Sequence, residues 1–237
     1  MIGTLINAAA IILGTIVGLL LRKGIPQRLQ DTIGQGQGLC VILIGLSSAI
    51  KTADVTCVII CMVVGSLIGA WVDIEKRLDS LGKAIERKVS PGGADGSIAK
   101  GFVTASLVFC VGAMAIVGSL NAGLTGDYEM LLTKSVLDLI SSAMLSVSLG
   151  IGVMFAAVFV LVFQGAIVLL AGVLQPLLTA AAINEIVCAG SLLIVGLGLN
   201  LMGITKIKVA DYLPAIVIAP ILCAIIQAVP ALSAFFG

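Results

Sequence analysis

Long runs of apolar residues, separated by short polar gaps, dominate this chain. Most runs contain roughly 17–25 residues, the length at which an α-helix crosses the hydrocarbon core of a bilayer. The pattern predicts an all-α, polytopic membrane helix bundle with about eight transmembrane helices. The predicted spans are residues 2–21, 34–50, 55–72, 101–120, 135–149, 152–174, 185–203 and 212–236.

The middle of the chain leaves two interpretations open. Residues 139–174 contain no charged side chain, and this stretch is too long for one ordinary span. Gly150 and Gly152 offer a place for a turn. We therefore expect a hairpin of two helices, and the alternative is one long tilted helix.

The basic residues orient the predicted spans. With eight spans, eleven of the thirteen Lys and Arg fall on one side of the membrane, and only Lys51 and Lys134 fall on the other. Basic residues in short loops stay in the cytoplasm. The distribution predicts that both termini face outside and that the connector near residues 72–100 lies in the cytoplasm. Because the predicted spans are apolar, the lipid bilayer is an expected partner of the chain.

We expect one transmembrane domain over residues 1–237, because no loop is long enough for a separate soluble catalytic domain. Its predicted parts are a first repeat over about 1–75, a cytoplasmic amphipathic helix and linker over about 72–100, central spans over about 101–150, and a second repeat over about 152–237. Apolar residues recur every three or four positions over 74–89, which is typical of one helix face. This helix is expected to lie against the bundle or the headgroups; the alternative is a regulatory or oligomer contact.

The first and last thirds of the chain resemble each other. Residues 14–17 (GTIV) resemble residues 165–168 (GAIV), and residues 41–46 (VILIGL) resemble residues 193–197 (LIVGL). On the predicted topology, spans 1–3 and spans 6–8 have opposite orientation. Inverted repeats of this kind are a common construction of secondary transporters.

Polar residues and helix breakers inside the spans supply the candidate site. Asp138 lies in the fifth span with Lys134 one turn earlier, and an intramembrane carboxylate is a candidate for ion or proton coupling. The alternative is that Asp138, like Asp54 and Asp211, stabilises a helix start. An amide side chain inside the hydrocarbon region needs a hydrogen-bond partner, which is supplied either by another helix or by a substrate. Helix breaks at membrane depth are tolerated where they line a cavity. The transport or ligand candidates are Asp138, Gln164, Asn200, Pro220, Asn7 and Gln35.

Other features argue against catalysis and for close helix packing. The chain has no histidine, and its six cysteines all fall within predicted spans, so we expect no enzyme activity, no metal site and no cofactor. A net charge of +1 gives no reason to expect nucleic acid binding. Two G-x-x-x-G motifs, Gly14/Gly18 and Gly65/Gly69, predict tight helix contacts, within the chain or in a homo-oligomer.

Several motifs together resemble a known family. Residues 109–119 (FCVGAMAIVGS) and 123–127 (GLTGD), followed by KS at 134–135, LD at 137–138, QG at 164–165 and LPA at 213–215, resemble the bacterial membrane family called domain of unknown function 554. The resemblance runs from the first span to the last. It implies an integral inner-membrane protein of bacteria, and it carries over no functional residues.

The combined pattern favours a secondary transporter of a small solute or ion in the bacterial inner membrane. Alternating access through the inverted repeat is the expected mechanism. One alternative is an oligomeric channel lined by small residues. Another is a scaffold or regulator without transport activity, acting through the cytoplasmic helix near residues 72–89.

Overall fold

The computed structural model describes residues 1–24, 26–52, 54–77, 80, 97–176 and 178–228. Within these ranges the chain forms helices joined by short connections and contains no strand. The helices are α1 (Ile2–Lys23), α2 (Gln27–Ala49), α3 (Val55–Val72), α4 (Ser97–Cys110), α5 (Ala113–Leu124), α6 (Glu129–Leu149), α7 (Gly152–Leu169), α8 (Ala171–Leu174), α9 (Ala180–Leu201) and α10 (Pro214–Ala228), with a 3₁₀ turn at Val209–Tyr212.

The helices confirm the predicted all-α membrane bundle. In the described part of the chain, seven helical segments are long and apolar enough to cross a bilayer, and the bent pair α4–α5 raises the number to eight. Large apolar side chains cover the outer surface: Leu43 is 68% exposed and Trp71 is 89% exposed. Such a surface is stable against lipid and costly in water.

The pair α4–α5 behaves as one broken span. The two helices meet at an angle of 61° around Gly112, within the predicted fourth span. Near the start of α4, Gly101 packs on the start of α7 at Gly152. Near the end of α5, Gly123 packs on the last turns of α7 at Val168. The pair therefore extends from one end of α7 to the other, as the eight-span prediction requires.

A glycine turn separates α6 from α7 and decides the open question in the middle of the chain. Gly150 has φ +70° and ψ −154°, a conformation that only glycine adopts without strain. Residues 139–174 therefore contain a hairpin, and the long tilted helix is wrong.

The first G-x-x-x-G motif packs within the chain. Gly14 lies against the Leu139 carbonyl and Ser142, and Gly18 lies against Ser146, so α1 runs parallel to α6 at close range. A methyl group at either glycine would overlap α6. This surface is thus covered by the protein's own helix and is not available to a second copy.

The second motif is also used internally. Gly65 packs on Ala215 and Gly69 packs on the Asp211 carbonyl, so α3 and α10 are antiparallel neighbours. Of the two uses expected for the G-x-x-x-G motifs, the structure therefore shows close packing within the chain. The homo-oligomer stays a prediction.

The two helices α2 and α9 cross antiparallel through a pair of glycines. Gly45 packs on the backbone of Ser191 and Val195, and Gly198 packs in the same way on Gly38 and Ile42. The sequence similarity pairs Gly45 with Gly196, but Gly196 instead faces Ile207 and Val209. In the packing, the counterpart of Gly45 is Gly198, two residues further along. The inverted repeat itself stays a prediction.

The described basic side chains divide between the two ends of the bundle. We call the end that contains the C-terminus of α1 and the N-terminus of α4 the basic end. Helices α1 and α6 start at the opposite end, and α10, antiparallel to α3, finishes there. The basic end carries Arg22, Arg28, Lys76, Arg77, Lys100, Lys206 and Lys208.

Two further predictions concern residues near the basic end and at the end of the chain. Most of the predicted amphipathic helix and its linker, residues 78–79 and 81–96, lie outside the described residues. So do residues 229–237, which include the end of the last predicted span. Just after α3, Glu75 N–H donates to Asp211 Oδ1 at 2.9 Å, and Ala210 N–H donates to Glu75 Oε2 at 2.9 Å. This reciprocal pair of hydrogen bonds joins the segment after α3 to the 3₁₀ turn before α10.

The cysteines pack as apolar residues. Five of the six are buried, and only Cys40 is exposed. Cys57, Cys61 and Cys223 lie in one apolar core between α3 and α10. This placement agrees with the expectation that the cysteines fill space in the bundle.

Candidate functional site

Four polar side chains from three helices meet inside the bundle. Asn7 Nδ2 donates to Asp138 Oδ2 at 3.0 Å and to Gln164 Oε1 at 3.3 Å. Lys134 Nζ forms an ion pair with the same oxygen of Asp138. We call Asn7, Lys134, Asp138 and Gln164 the polar cluster. Three of its members were candidates from the sequence, which therefore located residues that the fold brings together.

Local helix geometry explains how the cluster forms. Lys134 and Asp138 are four residues apart on α6, so their side chains lie on one face. Asn7 lies five residues after the start of α1, and Gln164 lies five residues before the end of α7. At 1.5 Å per residue, both are about 7 Å inside the ends of their helices. The cluster therefore lies in the half of the bundle away from the basic end.

The cluster is closed to solvent. Asn7 and Gln164 are 0% exposed, and Lys134 and Asp138 are each 5% exposed. Two opposite charges held in an apolar interior attract each other strongly, but their removal from water is costly. The pair is neutral overall, and the Asn7 amide supplies a second hydrogen bond to the carboxylate.

The cluster lies beside the broken span. The ammonium of Lys134 lies 5.8 Å from the centroid of the Phe109 ring. Phe109 is fully buried on the last turn of α4, directly before the break at Gly112. A cation over an aromatic face is favourable, more so when water is excluded. A movement of α4 relative to α5 would therefore change the environment of Lys134.

Two atoms of the cluster have no hydrogen-bond partner. Among the described residues, Asn7 Oδ1 and Gln164 Nε2 are buried and unpaired. One is an acceptor and the other a donor, and each lacks a contact that costs about 1–3 kcal/mol when it is missing. Buried polar groups without partners are rare in native proteins. The cluster therefore has one unused acceptor and one unused donor in its interior.

The other predicted candidates lie elsewhere. The Asn200 side chain bonds the backbone N–H and C=O of Ile207 at 2.9 and 2.7 Å, which holds the loop after α9 in shape. Gln35 is exposed on α2. Pro220 lies half-buried within α10, which continues through it, and α10 packs on α3 and α9. None of the three contributes to the polar cluster.

A buried amide on α2 was missed from the sequence. Gln37 is 4% exposed, donates to the Met144 carbonyl and accepts from the Ser148 hydroxyl, so it joins α2 to α6. The signal was present, because Gln37 lies two residues after Gln35 in the same glycine-rich run. Only packing shows which of the two amides faces the interior.

The acidic residues near helix starts have different roles. Asp54 accepts from Cys57 N–H at 3.0 Å and caps α3, as predicted. Asp138 is nine residues into α6 and bonds side chains, so the capping interpretation does not apply to it. In the structure, Asp138 bonds Asn7 on α1 and pairs with Lys134 on its own helix.

The chain is similar to known proteins along almost its whole length. The model of a family described as "Protein of unknown function (DUF554)" matches residues 2–224. The chain is 33% identical over 232 residues to "Uncharacterized membrane protein YdfK" of Bacillus subtilis, covering 96% of this chain and 98% of that protein. It is 31% identical over 221 residues to "Uncharacterized protein YqgA" of Escherichia coli, covering 92% and 94%. No solved structure matches the chain.

Proposed function

The chain belongs to the DUF554 family and is a multi-pass membrane protein, and we propose that it is a secondary transporter of a small solute or ion in the bacterial inner membrane. The polar cluster is its proposed binding site. The observation that carries the proposal is the convergence of Asn7, Asp138 and Gln164 from three helices in a buried position.

The chemistry of the cluster supports a binding role. Ionisable side chains inside the membrane are costly and mark substrate or ion pathways in many membrane proteins. A structural hydrogen-bond network would be expected to satisfy all its buried atoms, but Asn7 Oδ1 and Gln164 Nε2 are unpaired. The cluster is neutral and offers one acceptor and one donor. This favours a small polar solute, neutral or zwitterionic, over a bare ion.

The break between α4 and α5 supports alternating access. Discontinuous helices at membrane depth line the binding sites of many transporters. Here the break at Gly112 adjoins Phe109, which contacts Lys134 in the cluster. A hinge at this position would let one half of the span move while the other half keeps its packing on α7.

The closed state of the cluster favours a carrier over a channel. Asn7 and Gln164 have no exposure to solvent, whereas an open pore would leave its lining residues wet. The antiparallel packing of α2 on α9 and of α3 on α10 agrees with the proposed inverted repeat. Rocking of one repeat against the other is the corresponding mechanism.

The test is a transport assay that does not require the solute to be known in advance. Proteoliposomes are incubated with a defined mixture of amino acids, sugars, polyols and organic acids, and their contents are measured by mass spectrometry. We expect one or more solutes to accumulate with the wild-type protein. The accumulation should fall about tenfold or more in Asp138→Asn and in Asn7→Ala, because each removes a contact worth about 1.4 kcal/mol or more.

The matched control is Glu129→Gln, which removes an exposed carboxylate from the first turn of the same helix. Accumulation by this variant should equal that of the wild type. Unchanged uptake when Asp138→Asn, Asn7→Ala and Gln164→Ala are combined would refute the proposed site. Unitary currents from the wild-type protein in a planar bilayer would instead identify the oligomeric channel.

A further inference from the structure

A second polar site lies at the basic end of the bundle, separate from the polar cluster. A cavity of about 390 Å³ opens between α4, the end of α9 and the loop that follows α9. Its volume lies within the range of about 300–1,000 Å³ that is typical of small-ligand sites. The polar residues that line it are Glu75, Lys100, Thr104, Asn200, Thr205, Lys206 and Lys208.

The charge of this cavity is positive. Lys100, Lys206 and Lys208 contribute three positive charges, and Glu75 contributes one negative charge. One oxygen of Glu75 accepts a hydrogen bond from Ala210 N–H. The positive-inside rule explains why lysines occur at this end. It does not explain why three of them converge on one concave surface.

The lysines of the loop are held by ordered backbone. Asn200 fixes the loop through both backbone groups of Ile207, and Thr205 Oγ1 donates to Asn200 Oδ1 at 2.8 Å. Gly203 has φ +74°, which turns the chain directly after α9. Lys206 and Lys208 therefore extend from a loop with a fixed path, which lowers the entropy lost when they bind a ligand.

A buried hydroxyl without a hydrogen-bond partner also lies beside the cavity. Thr104 on α4 lines the cavity, is 1% exposed, and its Oγ1 has no hydrogen-bond partner among the residues described by the structure. A threonine in a helix commonly bonds the carbonyl one turn earlier, and Thr15 and Ser119 in this chain do so. The hydrogen-bonding capacity of the Thr104 hydroxyl is therefore unused beside the cavity.

We propose that this cavity binds a phosphate group, carried by an anionic lipid headgroup or by a small soluble phosphorylated compound. Lysine ammonium groups and a hydroxyl are suitable donors for phosphate oxygens. A phosphate bound here connects α4, the first half of the broken span, to the loop that leads to α10. The proposal is independent of the transport function and of the polar cluster.

The experiment measures phosphate binding to the full-length protein purified in a neutral detergent. Native mass spectrometry counts bound phosphatidylglycerol against phosphatidylcholine, and thermal stability is measured with added glycerol phosphate or inorganic pyrophosphate. We expect binding of the phosphate compounds with net negative charge in preference to phosphatidylcholine, whose choline cation neutralises its own phosphate, and this preference should weaken with added salt. Retention of phosphatidylglycerol alone would identify the lipid headgroup, and stabilisation by the soluble compounds would identify a soluble ligand.

Two variants and one control test the residues. Lys100→Ala combined with Lys206→Ala and Lys208→Ala should lower the affinity about tenfold or more, because several charge-assisted bonds are lost. Thr104→Val keeps the side-chain shape, so it should weaken binding while leaving the unliganded protein at least as stable as the wild type. The control is Lys76→Ala, a lysine at the same end whose side chain is 79% exposed and does not line the cavity.

Two results would overturn the proposal. One is wild-type affinity for every phosphate compound in both the triple lysine variant and Thr104→Val. The other is an equal loss of affinity in Lys76→Ala, which would show that binding follows the total charge of the basic end. Because Thr104→Val removes no charge, it separates a built site from a diffuse electrostatic effect even if the triple variant is poorly folded.

Discussion

Asn7 on α1 donates a 3.0 Å hydrogen bond to Asp138 on α6, although 131 residues separate them in the chain. The bond forms because Gly14 and Gly18 let α1 approach α6 in parallel orientation. The close approach also buries Lys134 beside Asp138. The proposed binding site is thus a consequence of a glycine-lined helix contact.

The buried ion pair gives a direct prediction for stability. Asp138→Leu leaves the Lys134 charge uncompensated in the bundle and should lower the free energy of unfolding by about 3–5 kcal/mol. The double variant Asp138→Leu with Lys134→Met removes both charges and should be more stable than Asp138→Leu alone. Thermal denaturation of the purified proteins measures the stability of each variant. Equal stability of the single and double variants would contradict the pairing of Lys134 with Asp138.

The glycine crossing of α2 and α9 should not tolerate larger side chains. Gly45→Leu and Gly198→Leu each place a side chain into the opposite backbone, and we expect losses of about 1–3 kcal/mol or more in stability. Gly36 on α2 supplies the control, because a methyl group added there would have no atom within 4 Å. Gly36→Ala should be neutral or stabilising. Equal melting temperatures for all three variants would show that the helices do not cross there.

The turn at Gly150 should require glycine. Its φ of +70° with ψ −154° is strained for any L-residue, and an added methyl group would also contact Arg22. Gly150→Ala should cost about 1–3 kcal/mol. Gly172→Ala, at a position with open space around it, is the matched control. The comparison uses melting temperature and yield in membranes, and a stable Gly150→Ala protein would mean that the hairpin turn has another conformation.

The orientation of the bundle can be tested by chemical labelling. In a variant without exposed Cys40, single cysteines introduced at Lys51 and Asp127 should react with a membrane-impermeant maleimide in intact cells. Cysteines introduced at Lys76 and Lys206 should react only after the membrane is permeabilised, because the basic end faces the cytoplasm. The reverse pattern would invert the bundle, and labelling at Lys76 and Lys206 from different sides would contradict the eight-span topology.

Parts of the proposed site could be predicted from residue chemistry. Asp138, Asn7 and Gln164 were candidates because amides and carboxylates are costly in lipid wherever they lie. Asn200 satisfied the same criterion, yet its side chain bonds the loop at Ile207. An amide in a span must find a partner, but residue chemistry does not say whether that partner is a local backbone group or a distant helix.

Hydropathy, glycine positions and charge were enough to establish from the chain alone that it crosses the membrane about eight times, that a turn is available at Gly150, and which end is basic. These properties are local, so they can be read without knowing the fold. Helix packing was needed to show that Gly14 and Gly65 are covered inside the chain, that Gln37 is buried, and that Lys134 completes the cluster. Those outcomes depend on which helix faces meet, because every span offers its neighbours several apolar faces of similar energy.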